Sequence, residues 1–148
     1  MATTHTATAT WQGDLDSGRG TVSTRSGALK QAATSWKERT EGEGQHGQTS
    51  PEELLAAAHA SCFLMALSSR LAKAGWTATR LDATATVTFG AMAGGGNGVL
   101  SSALQVRVAA PGASAEKLRE LADDAKEKCP ISKALAGNVA ISVDVELT

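Results

Sequence analysis

Aromatic residues are almost missing from this 148-residue chain: no tyrosine, two phenylalanines and three tryptophans make up 3% of it. Hydrophobic residues reach 42%, but almost half of them are alanine, and a small side chain removes little apolar surface from water. A domain of this size normally buries about 70% of the surface its unfolded chain exposes, so large core-forming side chains are scarce. That shortage points to a second subunit that completes the core, and a homodimer is the simplest such arrangement. Charge of one sign is missing too. Charged residues form 20% of the chain, the net charge is −1 and no basic run occurs, which excludes a polyanion binder that works by bulk electrostatics and leaves nucleic acid an unexpected partner. Two cysteines, Cys62 and Cys129, are far too few for a secreted disulfide scaffold. In a reducing compartment such a pair means redox chemistry, a metal site or nothing. Met1 to Thr10 alternates Thr and Ala without a basic segment ahead of an apolar one, so it does not read as a signal peptide. The longest apolar run, Leu54 to Leu67, contains His59 and falls short of the ~20 residues that cross a bilayer. The expectation is a single cytoplasmic domain over residues 1–148 with no membrane span.

What is present reads as strands and helices in groups. Thr6 to Trp11 alternates small and polar residues at period two, Thr21-Val-Ser-Thr24 and Ala28-Leu29-Lys30 follow glycine-containing turns, and together they suggest a meander of three short strands. Arg39 to Thr49 is polar, glycine-rich and without period, which predicts a loop. Ser50-Pro51-Glu52-Glu53 then carries an N-cap serine, a proline at the first helical position and a glutamate at the third, a capping box that opens a helix running to Gly75. Because Leu54 to Leu67 is apolar nearly all round, this helix is expected to be buried. Leu81 to Phe89 and Leu100 to Val108 alternate as two strands of an antiparallel hairpin around Gly94-Gly-Gly-Asn-Gly98. Ser114 caps an amphipathic helix with Leu118, Leu121, Ala122 and Ala125 on one stripe, Pro130 stops it at Cys129, and Val139 to Leu147 alternates as a last strand. Grouped rather than strictly alternating elements predict an α+β fold with an antiparallel sheet.

Few residues offer chemistry. Cys62 lies in the apolar helix, where burial would raise its pKa unless a fixed cation such as Arg39 faces it. Alone, it reads first as a small core residue. Cys129, at a helix end before a proline, is better placed to be activated by backbone amides, and on local chemistry it is the stronger candidate for the attacking thiol. His59 and Cys62 share a helix face but lack the further ligand pairs of a zinc site. His5 and His46 read as terminal and loop residues. Glu52 and Glu53 are accounted for by the capping box, and Ser61 and Ser68 lack the strand-turn-helix setting of a hydrolase nucleophile.

The blocks W11-Q-G-D14, G18-R-G-T-V-S-T-R-S-G27, T40-E-G-E43, S50-P-E-E-L-L-A-A-A-H-A-S-C-F-L-M-A-L-S68 and K128-C-P-I-S132, in this order and spacing, resemble the OsmC/Ohr family over nearly the whole chain, with the N-terminal blocks closer to the OsmC branch. The resemblance implies a thiol-dependent organic hydroperoxide reductase folded as an intertwined α+β dimer, with curved sheets around central helices. It implies Cys62 as peroxidatic cysteine, Cys129 as resolving thiol, Arg39 as the cation that stabilises the Cys62 thiolate and the leaving alkoxide, and Glu52 as the carboxylate that holds Arg39 by a bidentate pair. It further implies an external dithiol reductant such as a lipoyl protein, thioredoxin or a small thiol, and no metal, flavin or haem. Phe63 and Met65 are the apolar neighbours expected to favour organic peroxides. The rival readings are a non-catalytic dimeric stress-response or binding module with buried structural thiols, and an acyl- or thioester-type hydrolase using Cys62.

Overall fold

The computed structural model describes residues 1–42 and 47–148. Its backbone falls into two units, Met1–Leu54 and Leu55–Thr148, whose boundary lies inside one helix. In the first unit, β1 (Ala7–Gln12), β2 (Arg19–Thr24) and β3 (Ala32–Thr34) form an antiparallel sheet in that order, followed by the short helix α1 (Trp36–Glu41). The third strand starts later than Ala28. Between Gly27 (φ 77°) and Gln31 (φ 48°) the chain turns instead, because the hydroxyls of Thr24 and Ser23 accept the N–H groups of Leu29 (3.0 Å) and Gln31 (2.9 Å). Side-chain oxygens thus take the backbone donors that a ladder would have used, and pairing resumes only at Ala32.

Trp11 stands opposite Gly20 in the β1–β2 register. A Cβ on Gly20 would lie 2.8 Å from the Trp11 ring, 2.5 Å from Thr34 Oγ1 and 2.9 Å from the Thr10 carbonyl oxygen. The glycine is required by that close approach. Since one of the obstructing atoms is backbone, G20A must shift a strand, and we expect a loss of about 1–3 kcal/mol, read as a lower denaturant midpoint at an unchanged slope.

Among the described residues of this unit only Gly18, Gly20 and Glu52 are buried, so no apolar side chain is. The scarcity of large hydrophobic residues is therefore concentrated here.

The second unit contains most of helix α2 (Pro51–Lys73), then β4 (Arg80–Ala91), β5 (Asn97–Ala109), α3 (Ala115–Lys128), α4 (Pro130–Leu135) and β6 (Ala140–Leu147). The sheet order is β4-β5-β6. β4 and β5 pair antiparallel across a turn that uses Gly95 and Gly96 at positive φ. β6 corrects the all-antiparallel expectation, since it pairs parallel to β5. The passage through α3 and α4 brings the chain back to the end of the sheet where β5 began, which a hairpin cannot do. Phe63, Leu67 and Leu71 of α2 join Leu104, Val106 and Val108 of β5 and Leu118, Ala122 and Ala125 of α3 in one core.

Helix α2 starts as the sequence predicts, with Ser50 Oγ accepting the Glu53 N–H (3.1 Å), and it ends at Gly75 in the left-handed region (φ 82°). Its burial differs from expectation. Only the stripe His59, Phe63, Leu67, Leu71 is fully covered, while Met65 is 73% exposed and Ala57, Ala58, Ser61 and Ser68 are open. Within the second unit β5, α3 and α4 meet this helix along that stripe, and packing along one side buries one stripe. Phe63 accordingly belongs to the core and not to an accessible pocket. By length and composition α2 is apolar enough to cross a membrane, with a mean hydropathy of 1.4 over its most apolar window; the buried His59 on its packed stripe is hydrogen-bonded within the protein.

Candidate active site

Two pairs of side chains stand out, one in each unit. In the first, Ser35 caps α1 by accepting the Glu38 N–H (3.1 Å), which places Arg39 in the last turn of a short helix and not in the expected loop. Residues 43–46 of that loop, His46 among them, lie outside the described residues. The Arg39 guanidinium grips Glu52 from two nitrogens: Nε donates to Oε1 (3.1 Å) and Oε2 (3.2 Å), and Nη2 donates to Oε1 (2.8 Å). Its carbon also sits 5.7 Å from the centroid of the Trp36 ring, within range of the ring quadrupole. A planar cation held by a carboxylate on one edge and an aromatic face has little orientational freedom left. The Glu52 side chain is 9% exposed and that of Arg39 30%, so the carboxylate is anchored while the cation keeps contact with solvent. Glu52 therefore does more than cap a helix. The capping role belongs to Ser50 and to its neighbour Glu53, whose carboxylate accepts the Thr49 hydroxyl.

The second pair is Cys62 and Cys129, brought within hydrogen-bonding reach of each other although 67 positions separate them in the chain. They are unequally placed. Cys62 is half-buried on α2, one turn beyond His59, whereas Cys129 is wholly buried at the junction of α3 and α4. Pro130 causes that junction: it holds Cys129 in an extended conformation (ψ 121°), ends α3 and starts α4. Burial pushes the Cys62 thiol up, helped by the hydrogen bond it donates to Cys129 and opposed by the Ile131 N–H. Burial would raise Cys129 as well, but the backbone N–H and hydroxyl of Ser132, the Cys62 thiol and the Ile131 N–H all donate to its sulfur and take it below the ordinary thiol value. Within this unit Cys62 thus holds its proton more tightly and Cys129 gives its proton up more readily.

His59 is a further buried polar group. Its Nδ1 lies 2.7 Å from Ser102 Oγ on β5 and its Nε2 2.8 Å from Ser132 Oγ on α4. Burial depresses its pKa, so the ring is neutral at pH 7, and hydroxyls occupy both nitrogens where a metal ligand would keep one open. Sequence pattern by itself assigns no role to Ser102 or Ser132. A usable signal was present: a histidine inside an apolar run must find polar partners, and Ser132 sits three residues beyond Cys129.

Several known proteins are similar to this one. A family model described as OsmC-like protein matches residues 42–144. The chain is 41% identical over 136 residues to Peroxiredoxin OsmC of Escherichia coli strain K12, with 92% of each chain covered. It is 31% identical over 100 residues to the organic hydroperoxide resistance protein of Xanthomonas axonopodis pv. citri, with 64% of this chain and 65% of that protein covered. Among solved structures, an organic hydroperoxide resistance protein from Elizabethkingia anophelis superposes with a TM-score of 0.76 at 28% identity, covering 100% of both chains. A family model that spans more than two thirds of the sequence, joined to a full-length relative at this identity, shows that the chain belongs to the OsmC family.

Proposed function

We propose that this chain is a thiol-dependent peroxidase that reduces organic hydroperoxides to alcohols, with Cys62 attacking the peroxide and Cys129 resolving the product. The observation that carries the reading is the facing pair of thiols with unequal access, one half-buried and one sealed. A peroxide must reach the sulfur that attacks it, whereas a resolving thiol needs to reach only the first cysteine. The Cys62 thiolate attacks the distal oxygen, the O–O bond breaks, the alkoxide takes a proton and leaves as alcohol, and Cys62 becomes a sulfenic acid. Cys129 then displaces that oxygen as water to form the disulfide, and an external dithiol returns both thiols. Arg39, held by Glu52 and delivered from its own chain or from a partner subunit, supplies the positive charge that the Cys62 thiolate and the leaving oxygen need. The exposed Met65, three positions after Cys62 on the same helix, offers apolar contact to an organic substituent. The peroxidase name of the 41% identical relative and the organic hydroperoxide resistance of the 31% identical one support the same reaction.

The test is to mix the reduced protein with cumene hydroperoxide and count free thiols, then to offer a dihydrolipoyl protein, thioredoxin or a small thiol as reductant. Loss of two thiols per chain together with steady turnover on one of these reductants is expected. A protein that consumes no peroxide is a binding module, and one that cleaves thioesters while keeping both thiols is a hydrolase. The working compartment is one that supplies thiol reductants, which is the cytoplasm.

The same reading includes a homodimer. A first unit with no apolar side chain buried among its described residues and an α2 helix covered on one stripe both need a second surface. Light scattering at micromolar concentration should give twice the mass of the 15.1 kDa chain; a monomer would overturn it.

A further inference from the structure

His59 is buried, titratable and unused by the steps above. Each of its ring nitrogens meets a serine hydroxyl, and the serine at Nε2 is the same Ser132 whose hydroxyl also reaches Cys129. A neutral imidazole has one N–H, so two proton arrangements are possible. If Nδ1 carries the proton, Ser132 must spend its own hydroxyl proton on Nε2 and has none for the sulfur. If Nε2 carries it, Ser102 donates to Nδ1, Nε2–H donates to Ser132, and the Ser132 proton is left for Cys129. We propose that His59 is a positioning residue for the disulfide-forming step: held at Nδ1 by Ser102, its Nε2–H turns the Ser132 hydroxyl proton onto the Cys129 sulfur.

This inference rests on Cys129 being the resolving thiol. In the step concerned, the Cys129 sulfur forms a bond to the Cys62 sulfur, the S–O bond of the sulfenic acid breaks, and the proton given up by Cys129 leaves with that oxygen as water. The thiolate is the reactive form, so a donor aimed at Cys129 raises the fraction ready to react. The groups that act on Cys129 are Cys62 from α2, the N–H groups of Ile131 and Ser132 and the Ser132 hydroxyl from α4, with His59 behind that hydroxyl; β5 contributes the uncharged Ser102. Among the described residues of this unit no carboxylate, lysine or arginine acts on Cys129, so the hydroxyl proton is a large part of what this unit can tune.

Ser132→Ala removes the donor with little change in volume. Below the pKa each tenfold loss of thiolate is offset about threefold by the greater nucleophilicity of a more basic sulfur, which leaves resolution about threefold slower at neutral pH. At alkaline pH, where the thiolate forms anyway, the order reverses and the variant resolves faster than the wild type. Sulfenic acid formation at Cys62 should be no slower, because that step does not use the Ser132 proton. The experiment mixes reduced protein with one equivalent of cumene hydroperoxide and follows sulfenic acid by dimedone trapping and disulfide by thiol counting, across pH, for wild type, Ser132→Ala, Ser132→Thr and His59→Gln. Ser132→Thr restores the wild-type profile, and His59→Gln follows Ser132→Ala. Nitrogen-15 NMR of the reduced wild type supplies a readout that needs no variant: the His59 proton is expected on Nε2, and a proton on Nδ1 overturns the inference. Identical resolution profiles in all four proteins overturn it alone, whereas a wild type that forms no disulfide overturns the peroxidase reading and this inference with it.

Discussion

Cys62→Ser should lower peroxide reduction roughly a thousandfold or more, the scale on which loss of a nucleophile acts. Cys129→Ser should instead consume one peroxide per chain, or a second where the sulfenic acid is oxidised further, and stop. The two thiols touch, so the asymmetry comes from access and from the order of events. Cys62 is open enough for a peroxide to approach, while Cys129 has no exposed surface. Without Cys129 the sulfenic acid has no internal partner, and it persists or is oxidised further. Stopped-flow consumption followed by mass measurement distinguishes these states: wild type ends two hydrogens lighter, and Cys129→Ser ends one or two oxygens heavier. Wild-type consumption by Cys62→Ser would exchange the two roles. That outcome has a physical basis, because within the second unit it is Cys129 whose sulfur receives the amide and hydroxyl donors.

Arg39→Ala should slow peroxide reduction at neutral pH by roughly a hundredfold, comparable to the loss of a charge-stabilising donor in other active sites. The sign follows from the thiols. Burial first, and then the hydrogen bond to Cys129, raise Cys62 above the ordinary thiol value, so at pH 7 the surroundings in its own unit keep it protonated. A guanidinium nearby favours the charged form and reverses that order, each 1.4 kcal/mol of attraction representing about a tenfold gain in thiolate. When the cation is removed, the reactive fraction falls at neutral pH and rises again as pH climbs towards the raised value. The deficit should therefore shrink in alkali. It should not vanish, since the departing alkoxide also loses its counter-charge. Titration of thiolate absorbance together with the pH–rate profile tests both parts, and unchanged values in Arg39→Ala would remove the residue from the mechanism. Glu52→Gln should move both quantities the same way by less, because the Trp36 face still restrains a guanidinium that has lost its ionic partner.

Local chemistry made most of the fold readable. Period-two alternation marks β4, β5 and β6, Ser50 with Pro51 starts α2, Ser114 starts α3, and Pro130 breaks the chain at Cys129, each for a reason confined to neighbouring residues. Composition also announced that apolar cover is short, and among the described residues of the first unit no apolar side chain is buried. What needed three dimensions was everything that depends on distant residues. The parallel pairing of β6 with β5 is set by the route through α3 and α4. The delay of β3 is set by two hydroxyls that reach across the turn. From its sequence neighbours alone Glu52 reads as a capping residue; the family resemblance implies its pairing with Arg39, and the fold of α1 beside it brings the Arg39 fork to its carboxylate. The links from Cys62 to Cys129 and from His59 to Ser102 and Ser132 span between 43 and 73 positions. A periodic pattern states which face a residue occupies, but it carries no information about what that face will meet, and in this chain the site is made of such meetings.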